Sequence, residues 1–238
     1  MIKLEHTDVF GFEAAIRGMR NPMNSWDKSD SHWCDHIPYG YIPEDRPHCG
    51  GFGSYCIGHN DLKLMKNLSK AGNDHAKFLR MINVTVDITA PMYFWKQFDQ
   101  YRVAVTTNST STMHKIHAKE FTLDDFSHNH LEGSYSDGCP LDGIFKGIVT
   151  SPIGMLNLVI DVLNICRERY LKTKDKKYWW QMIQLLPSSY NQKRTVQLNY
   201  QVLKSMYFAR RHHKLDEWVK FCKWCETLPY FKEVCIDA

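Results

Sequence analysis

The sequence predicts an α+β fold, and three observations carry that prediction. Ile82, Val84, Val86 and Ile88 alternate with the polar Asn83, Thr85, Asp87 and Thr89. A period of two over eight residues marks a strand with one wet face. The second half, from Pro152 onward, carries apolar segments with helical spacing instead. No internal repeat, low-complexity tract or evident linker breaks the 238 residues. Strands followed by a helical bundle, in a single domain spanning 1–238, is the plan these features imply.

The elements follow in order. Ile2 to Phe10 is the first strand, and Phe12 to Met19 a short helix. From about 21 to 60 the chain is rich in Gly, Pro, His, Cys and aromatics without a period. This reads as a long ordered loop, since so many aromatics argue against disorder. Asp61 caps a helix that runs to about Ala71 and ends at Gly72. The alternating strand stops at Ala90-Pro91, and Pro91 suits the first turn of a helix from Met92 to about Tyr101. Four helices complete the chain: Pro152 to Leu171, Tyr178 to Leu186 (stopped by Pro187), Asn191 to Arg210, and Lys214 to Leu228.

Composition narrows the function. A formal net charge of +4 without a long basic run is far from a nucleic-acid-coating protein, so no nucleic-acid partner is expected. No segment approaches the roughly 18 uninterrupted apolar residues of a membrane span. The start, MIKLEHTDVFGFE, carries acids early and has no apolar run before a cleavage site. Eight cysteines are then expected as reduced thiols in a cytoplasmic protein.

Two segments carry chemistry. Thr106 to Thr112 are all hydroxyl or amide residues, with Arg102 just upstream. Such a run can surround a phosphate with side-chain and backbone donors, or it can be a solvated turn. Farther on, Asn199, Leu203, Met206 and Arg210 are spaced four, three and four apart, which places them on one helix face. An amide and a guanidinium flanking apolar residues can grip a flat heterocycle. Arg210 at a helix C-terminus can equally well complement the dipole.

With their surroundings these segments resemble the flavin-dependent thymidylate synthases, ThyX. The matching pieces are Asp74-His75, the alternating strand, Ala90-Pro91, and Lys96-Gln97-x-x-Gln100-Tyr101-Arg102. Leu186-Pro187, Asn199, Leu203 and Arg210 follow. The series is co-linear over roughly 60 to 225.

The resemblance implies an antiparallel sheet with helices, assembled as a homotetramer with active sites between subunits. It implies FAD as cofactor, with NADPH and methylenetetrahydrofolate as co-substrates, and transfer of a one-carbon unit to carbon 5 of a pyrimidine nucleotide, dUMP by default. Gln97 and Arg102 would contact nucleotide or flavin. The loop Asn108, Ser109, Thr110, Ser111 and Thr112 would hold the phosphate, with Ser111 or Thr110 at the signature serine. His75 and Asn199 would face the flavin. Arg210 would bind the pyrimidine and stabilise negative charge on it.

The chain departs from the family where Arg-His-Arg is replaced by Gln100-Tyr101-Arg102. The loop lacks the family's glutamate and arginine, and Ile183 stands where an arginine precedes Leu-Pro. A nucleotide-binding homologue that has lost flavin chemistry and works as sensor or scaffold is therefore the second expectation. The third is a zinc-stabilised interaction protein, because His32, Cys34, His36, His48, Cys49, Cys56 and His59 crowd the long loop, the last six being the expected ligands. Without a paired CxxC motif those residues read equally as packing thiols and exposed imidazoles. Cys222-x-x-Cys225 falls within a helical pattern and reads as packing rather than a redox pair.

Overall fold

A computed structural model describes residues 2–35, 53–133 and 151–238. The strands are β1 (Lys3–Phe10), β2 (His32–Trp33), β3 (Tyr55–Cys56), β4 (Asn83–Pro91), β5 (Thr106–Ser109) and β6 (Asn191–Asn199). The helices are α1 (Phe12–Arg20), α2 (His59–Lys70), α3 (Met92–Phe98), α4 (Thr112–Lys115), α5 (Pro152–Thr173), α6 (Lys176–Leu185), α7 (Tyr200–Arg210) and α8 (Asp216–Cys225). One sheet has the order β1-β4-β6-β5, and β2 pairs with β3 antiparallel. Tyr200 N–H donates to the Ile82 carbonyl, the Thr195 hydroxyl to Asp87, and Met92 N–H to the Tyr190 carbonyl. The partners step in opposite directions, so β4 and β6 run antiparallel. The α+β class with an antiparallel sheet is therefore as expected. No helix among the described residues is long and apolar enough to cross a membrane.

The described chain forms two compact units. The first draws on Met1–Lys3, Ile88–Gln100 and Asn108–Arg194, the second on Leu4–Asp87, Tyr101–Thr107 and Thr195–Ala238.

The first unit is built on α5 and α6. Ser151 caps α5 by accepting the Gly154 N–H at 3.1 Å, and Lys174 ends it in the left-handed region at φ 58°. Leu156, Ile160, Leu163 and Cys166 form its buried stripe, packed with Met182 of α6 and with Phe121 and Phe126. Trp95 of α3 is completely buried, and its indole N–H lies 3.0 Å from the carbonyl oxygens of both Ala90 and Gln192. Arg194 covers the ring face at 4.2 Å and donates to Asp99 at 2.6 Å.

In the second unit the apolar face of β4 is buried as the alternation predicts, with Ile82, Val84 and Val86 at 1% exposure or less. Gly11 starts α1 at φ +96°, and a Cβ there would lie 2.2 Å from the Met81 carbonyl oxygen, so only glycine fits. Cys222, Cys225 and Cys235 are buried in this unit and unpaired by disulfides. Burial pushes the Cys222 thiol up to about 11 and Cys235 to about 12, and holds Cys225 well above the usual range. The CxxC pair thus packs as an apolar element.

Asp61 does not cap α2. The helix begins at His59 with Gly58 as its cap residue, and Asp30 accepts the N–H groups of Asn60 at 2.8 Å and Asp61 at 3.1 Å. Asp61 is fully buried. It accepts Arg20 Nε at 2.6 Å, the hydroxyls of Ser29 and Ser31, and the N–H groups of Asp30 and Ser31. Arg20 also donates to the carbonyls of Ser25 and Lys28. Burial acts to raise the Asp61 pKa and is the largest single effect, but the bonds from Ser31, Ser29 and Arg20 together hold it below its ordinary value. An ion pair thus orders the start of the long loop.

The helix expected from Asn191 to Arg210 is a strand, β6, followed by α7. Val196 and Leu198 are buried while Thr195 and Gln197 are exposed, a period of two. Apolar residues at Leu198, Val202, Leu203 and Met206 continue at near-helical spacing across the junction and hide the change in sequence. Asn199 is accordingly not on the helix face of Arg210. It is the N-cap of α7, accepting the Val202 N–H at 3.1 Å. Helix α3 ends at Phe98 rather than Tyr101. Of the proposed zinc ligands, His36, His48 and Cys49 lie outside the described residues. Among the described residues no group of three His, Cys, Asp or Glu side chains is placed to hold a metal.

Candidate functional site

The sequence-selected residues divide between the units. Gln97 and Asn108 to Thr112 belong to the first, and His75, Arg102, Asn199 and Arg210 to the second.

In the first unit Thr110, Ser111 and Thr112 line a groove of about 440 Å³. The loop is stitched to β6: Thr110 N–H donates to the Lys193 carbonyl at 2.9 Å, and Gln192 Nε2 donates to the Thr110 carbonyl at 2.7 Å. Ser111 caps the single turn of α4 by accepting the His114 N–H at 3.0 Å, which leaves its hydroxyl proton to donate. Lys3, Lys115, Lys119 and Lys193 complete the walls with Asp124, Asp125, Tyr190 and Asn191. Lys119 is ion-paired with Asp125, whose other oxygen accepts the Thr122 N–H. Three further lysines against the exposed Asp124 leave the groove net positive. Burial, then the charge of Asp125, raise the Tyr190 pKa, so the phenol stays a neutral donor. Hydroxyls and ammonium groups with a positive balance suit an anion such as a phosphate. Gln97, on α3, is not among the lining residues.

The sequence reading missed the four lysines and Tyr190. They come from separate segments that only the fold brings together. Lys115 and Lys119, just beyond the hydroxyl run, were the one local signal.

In the second unit Arg210 is a half-buried cation among aromatics. Its Nε donates to the Tyr101 hydroxyl at 2.9 Å, and the guanidinium lies 5.0 Å from the Trp218 ring centre and 5.7 Å from that of Tyr101. Trp218 is fully buried. Tyr101, one of the two residues that break the Arg-His-Arg motif, thus anchors the arginine expected to read the base. His213 follows, its pKa lowered by burial and by the charges of Arg210 and Lys214. Its Nδ1 accepts the Leu215 N–H at 3.1 Å, so the neutral ring carries its proton on Nε2. Arg102 and His75 are exposed. Asn199, buried at the β6–α7 junction, keeps its amide nitrogen as a donor. Tyr101→Phe is expected to lower stability by about 1.5 kcal/mol, the low end for a hydrogen bond to a charged group. Urea denaturation of the variant beside the wild type measures this, and an unchanged midpoint would mean that the hydroxyl anchors nothing.

The sequence matches no protein-family profile and no curated protein. Its fold does match solved structures. One is thymidylate synthase X (ThyX) from Helicobacter pylori with FAD and dUMP, at a TM-score of 0.63 and 13% identity, covering 100% of this chain and 98% of that one. Another is a flavin-dependent thymidylate synthase ThyX from the same organism, complexed with FAD and dUMP. It gives a TM-score of 0.61 and 15% identity, covering 99% and 98%. At these identities the likeness establishes architecture alone: the chain has a ThyX-like fold.

Proposed function

We propose that this protein binds a pyrimidine nucleotide and transfers a one-carbon unit to carbon 5 of its base, using a flavin. The observation that carries the reading is the groove. The loop that resembles the family's phosphate loop lines a net-positive cleft, on a fold whose solved examples hold dUMP and FAD. The first unit by itself offers phosphate recognition, with Lys115 and Lys193 as charges and Ser111 and Thr112 as hydroxyl donors. The second by itself offers a guanidinium whose Nε is fixed by Tyr101, so that its plane is set before a ligand arrives. A charge held in place costs no reorganisation when negative charge develops on a pyrimidine ring.

The residues assigned to flavin fit such a group. The Asn199 amide can donate to a ring carbonyl, and the exposed Arg102 can attract a diphosphate. A bound FAD supplies the redox chemistry, with NADPH and methylenetetrahydrofolate as co-substrates. A homotetramer would bring the parts of a site together from different copies.

The test is calorimetric titration with dUMP, dCMP, UMP and deoxyuridine, together with FAD titration followed by flavin fluorescence. We expect dUMP to bind about ten- to a hundredfold more tightly than deoxyuridine, the worth of charged hydrogen bonds to the phosphate. Lys115→Gln should remove part of that difference. Equal affinities for dUMP and deoxyuridine would overturn the phosphate assignment. A second reading, a nucleotide-binding homologue without flavin chemistry, is favoured by Tyr101 in the broken motif. Tight dUMP binding with no flavin binding would select it.

A further inference from the structure

The formal charge of the whole chain is +4. Between Arg167 and Lys177 stand Arg167, Arg169, Lys172, Lys174, Lys176 and Lys177, opposed by Glu168 and Asp175. That is six positive against two negative, so the entire net charge of the protein is matched within eleven residues. The structure places them at one tip of the first unit, where α5 ends at Thr173 and α6 begins at Lys176. Lys172, Lys174, Lys176, Lys177 and Arg169 are exposed.

The tip is also aromatic. Tyr170 lies among the cations, and Tyr178, Trp179 and Trp180 follow directly after them. Lys177 Nζ lies 4.9 Å from the Tyr178 ring centre, and Lys176 Nζ lies 5.9 Å from those of both Trp179 and Trp180. The two indoles meet edge to face at 73°, with centres 4.9 Å apart. Trp179 is tied down, its indole N–H donating to the Met113 carbonyl at 3.0 Å, whereas Trp180 remains 45% exposed. The exposed indole of Trp180 stands beside the cations, where an aromatic face is open to stacking.

We infer that this tip binds single-stranded nucleic acid. Closely spaced ammonium and guanidinium groups follow a phosphate backbone, and the exposed ring of Trp180 beside them can stack on an unpaired base. A duplex offers the phosphates but hides the base faces. A lipid surface offers the anions, but holding there needs several apolar side chains to insert. With Trp179 fixed, the exposed large apolar groups of the tip are Leu171, at 37%, and Trp180. The even overall charge, which argued against a nucleic-acid partner, averaged this cluster away.

The test is fluorescence anisotropy of a labelled dT20 oligonucleotide with the full chain, in the presence of saturating dUMP so that the groove of the first unit is occupied. Binding in the micromolar range at 50 mM salt is expected. For a single strand the slope of log K against log salt is about −0.7 per phosphate neutralised, so four net charges give roughly −3. The affinity should then fall about fiftyfold between 50 and 200 mM salt. Replacing Lys172, Lys174 and Lys176 together with glutamine leaves one net charge and should reduce the slope to roughly −0.7. Trp180→Ala should weaken binding about tenfold at unchanged slope, the effect of losing one stacked base. A blunt-ended duplex of the same length should bind more weakly than dT20.

Any one of four results would overturn the inference: no anisotropy change at 50 mM salt, a triple variant that binds like the wild type, loss of binding when dUMP is added, or equal affinity for the duplex. Co-sedimentation with phosphatidylserine vesicles in the absence of oligonucleotide binding would assign the tip to a lipid surface instead. Circular dichroism melts of each variant separate these outcomes from unfolding.

Discussion

Asp61→Ala is expected to destabilise the protein by about 3–5 kcal/mol, the usual result of removing one partner of a buried ion pair. The remaining Arg20 would stay buried at 4% exposure with its charge uncompensated, and the hydroxyls of Ser29 and Ser31 would lose their acceptor. Against a typical total of about 5–15 kcal/mol this is a large share. Asp61→Asn keeps the shape but not the charge and should fall close to alanine. The double variant Arg20→Met with Asp61→Leu should cost less than Asp61→Ala alone, because an apolar pair leaves no charge stranded.

The same site gives a pH dependence. The Asp61 pKa is held below its ordinary value of 3.8, so the pair contributes fully above that value. Its contribution is lost as pH falls through the lower folded value. The wild type should therefore lose stability toward acid more steeply than the double variant. Chemical denaturation at several pH values measures both, and a cost below about 1 kcal/mol for Asp61→Ala would remove the clamp as the organiser of the segment after α1.

Trp95→Ala is expected to cost a comparable amount, about 3–5 kcal/mol, through lost burial and a cavity. Trp95→Phe separates the two parts of the effect. It keeps an apolar ring but removes the indole N–H shared by the Ala90 and Gln192 carbonyls. That loss alone should amount to about 1–3 kcal/mol. Arg194, stacked on the ring and paired with Asp99, should lose its footing as well. If Trp95→Phe melts with the wild type, the indole N–H does not join α3 to β6 energetically.

What the sequence disclosed depended on how local the cause was. The alternation from Ile82 to Thr89 is a local pattern, and burial along β4 follows it residue for residue. The long apolar stripe of α5 is local too, as is Pro91 before α3. β6 was hidden because its nine residues carry only two apolar side chains, Val196 and Leu198, and the strand runs straight into a helix whose longer apolar spacing outweighs them. The cap of α2 was misassigned because the residue that provides it, Asp30, lies far back in the loop. The hydroxyl loop was legible as a candidate phosphate site on composition and by resemblance. Its lysines were not, since Lys3, Lys115 and Lys193 are separated by most of the chain and meet only in the folded groove. Tyr101 was visible in sequence as a broken motif, but its bond to Arg210 depends on the packing of α7 and α8 in the second unit.

The three thiols at the centre of the second unit make the protein report on its own ligands. An alkylating reagent attacks thiolate at a solvent-exposed sulfur. At pH 8 the native fold withholds both conditions from Cys222, Cys225 and Cys235. Labelling must then wait for an opening of the structure, and its rate measures how often that opening occurs. A molecule that binds only the native state makes openings rarer by the factor by which it exceeds its Kd. Mass spectrometry of labelling at these cysteines can therefore rank nucleotides and flavins as ligands before any turnover is detected.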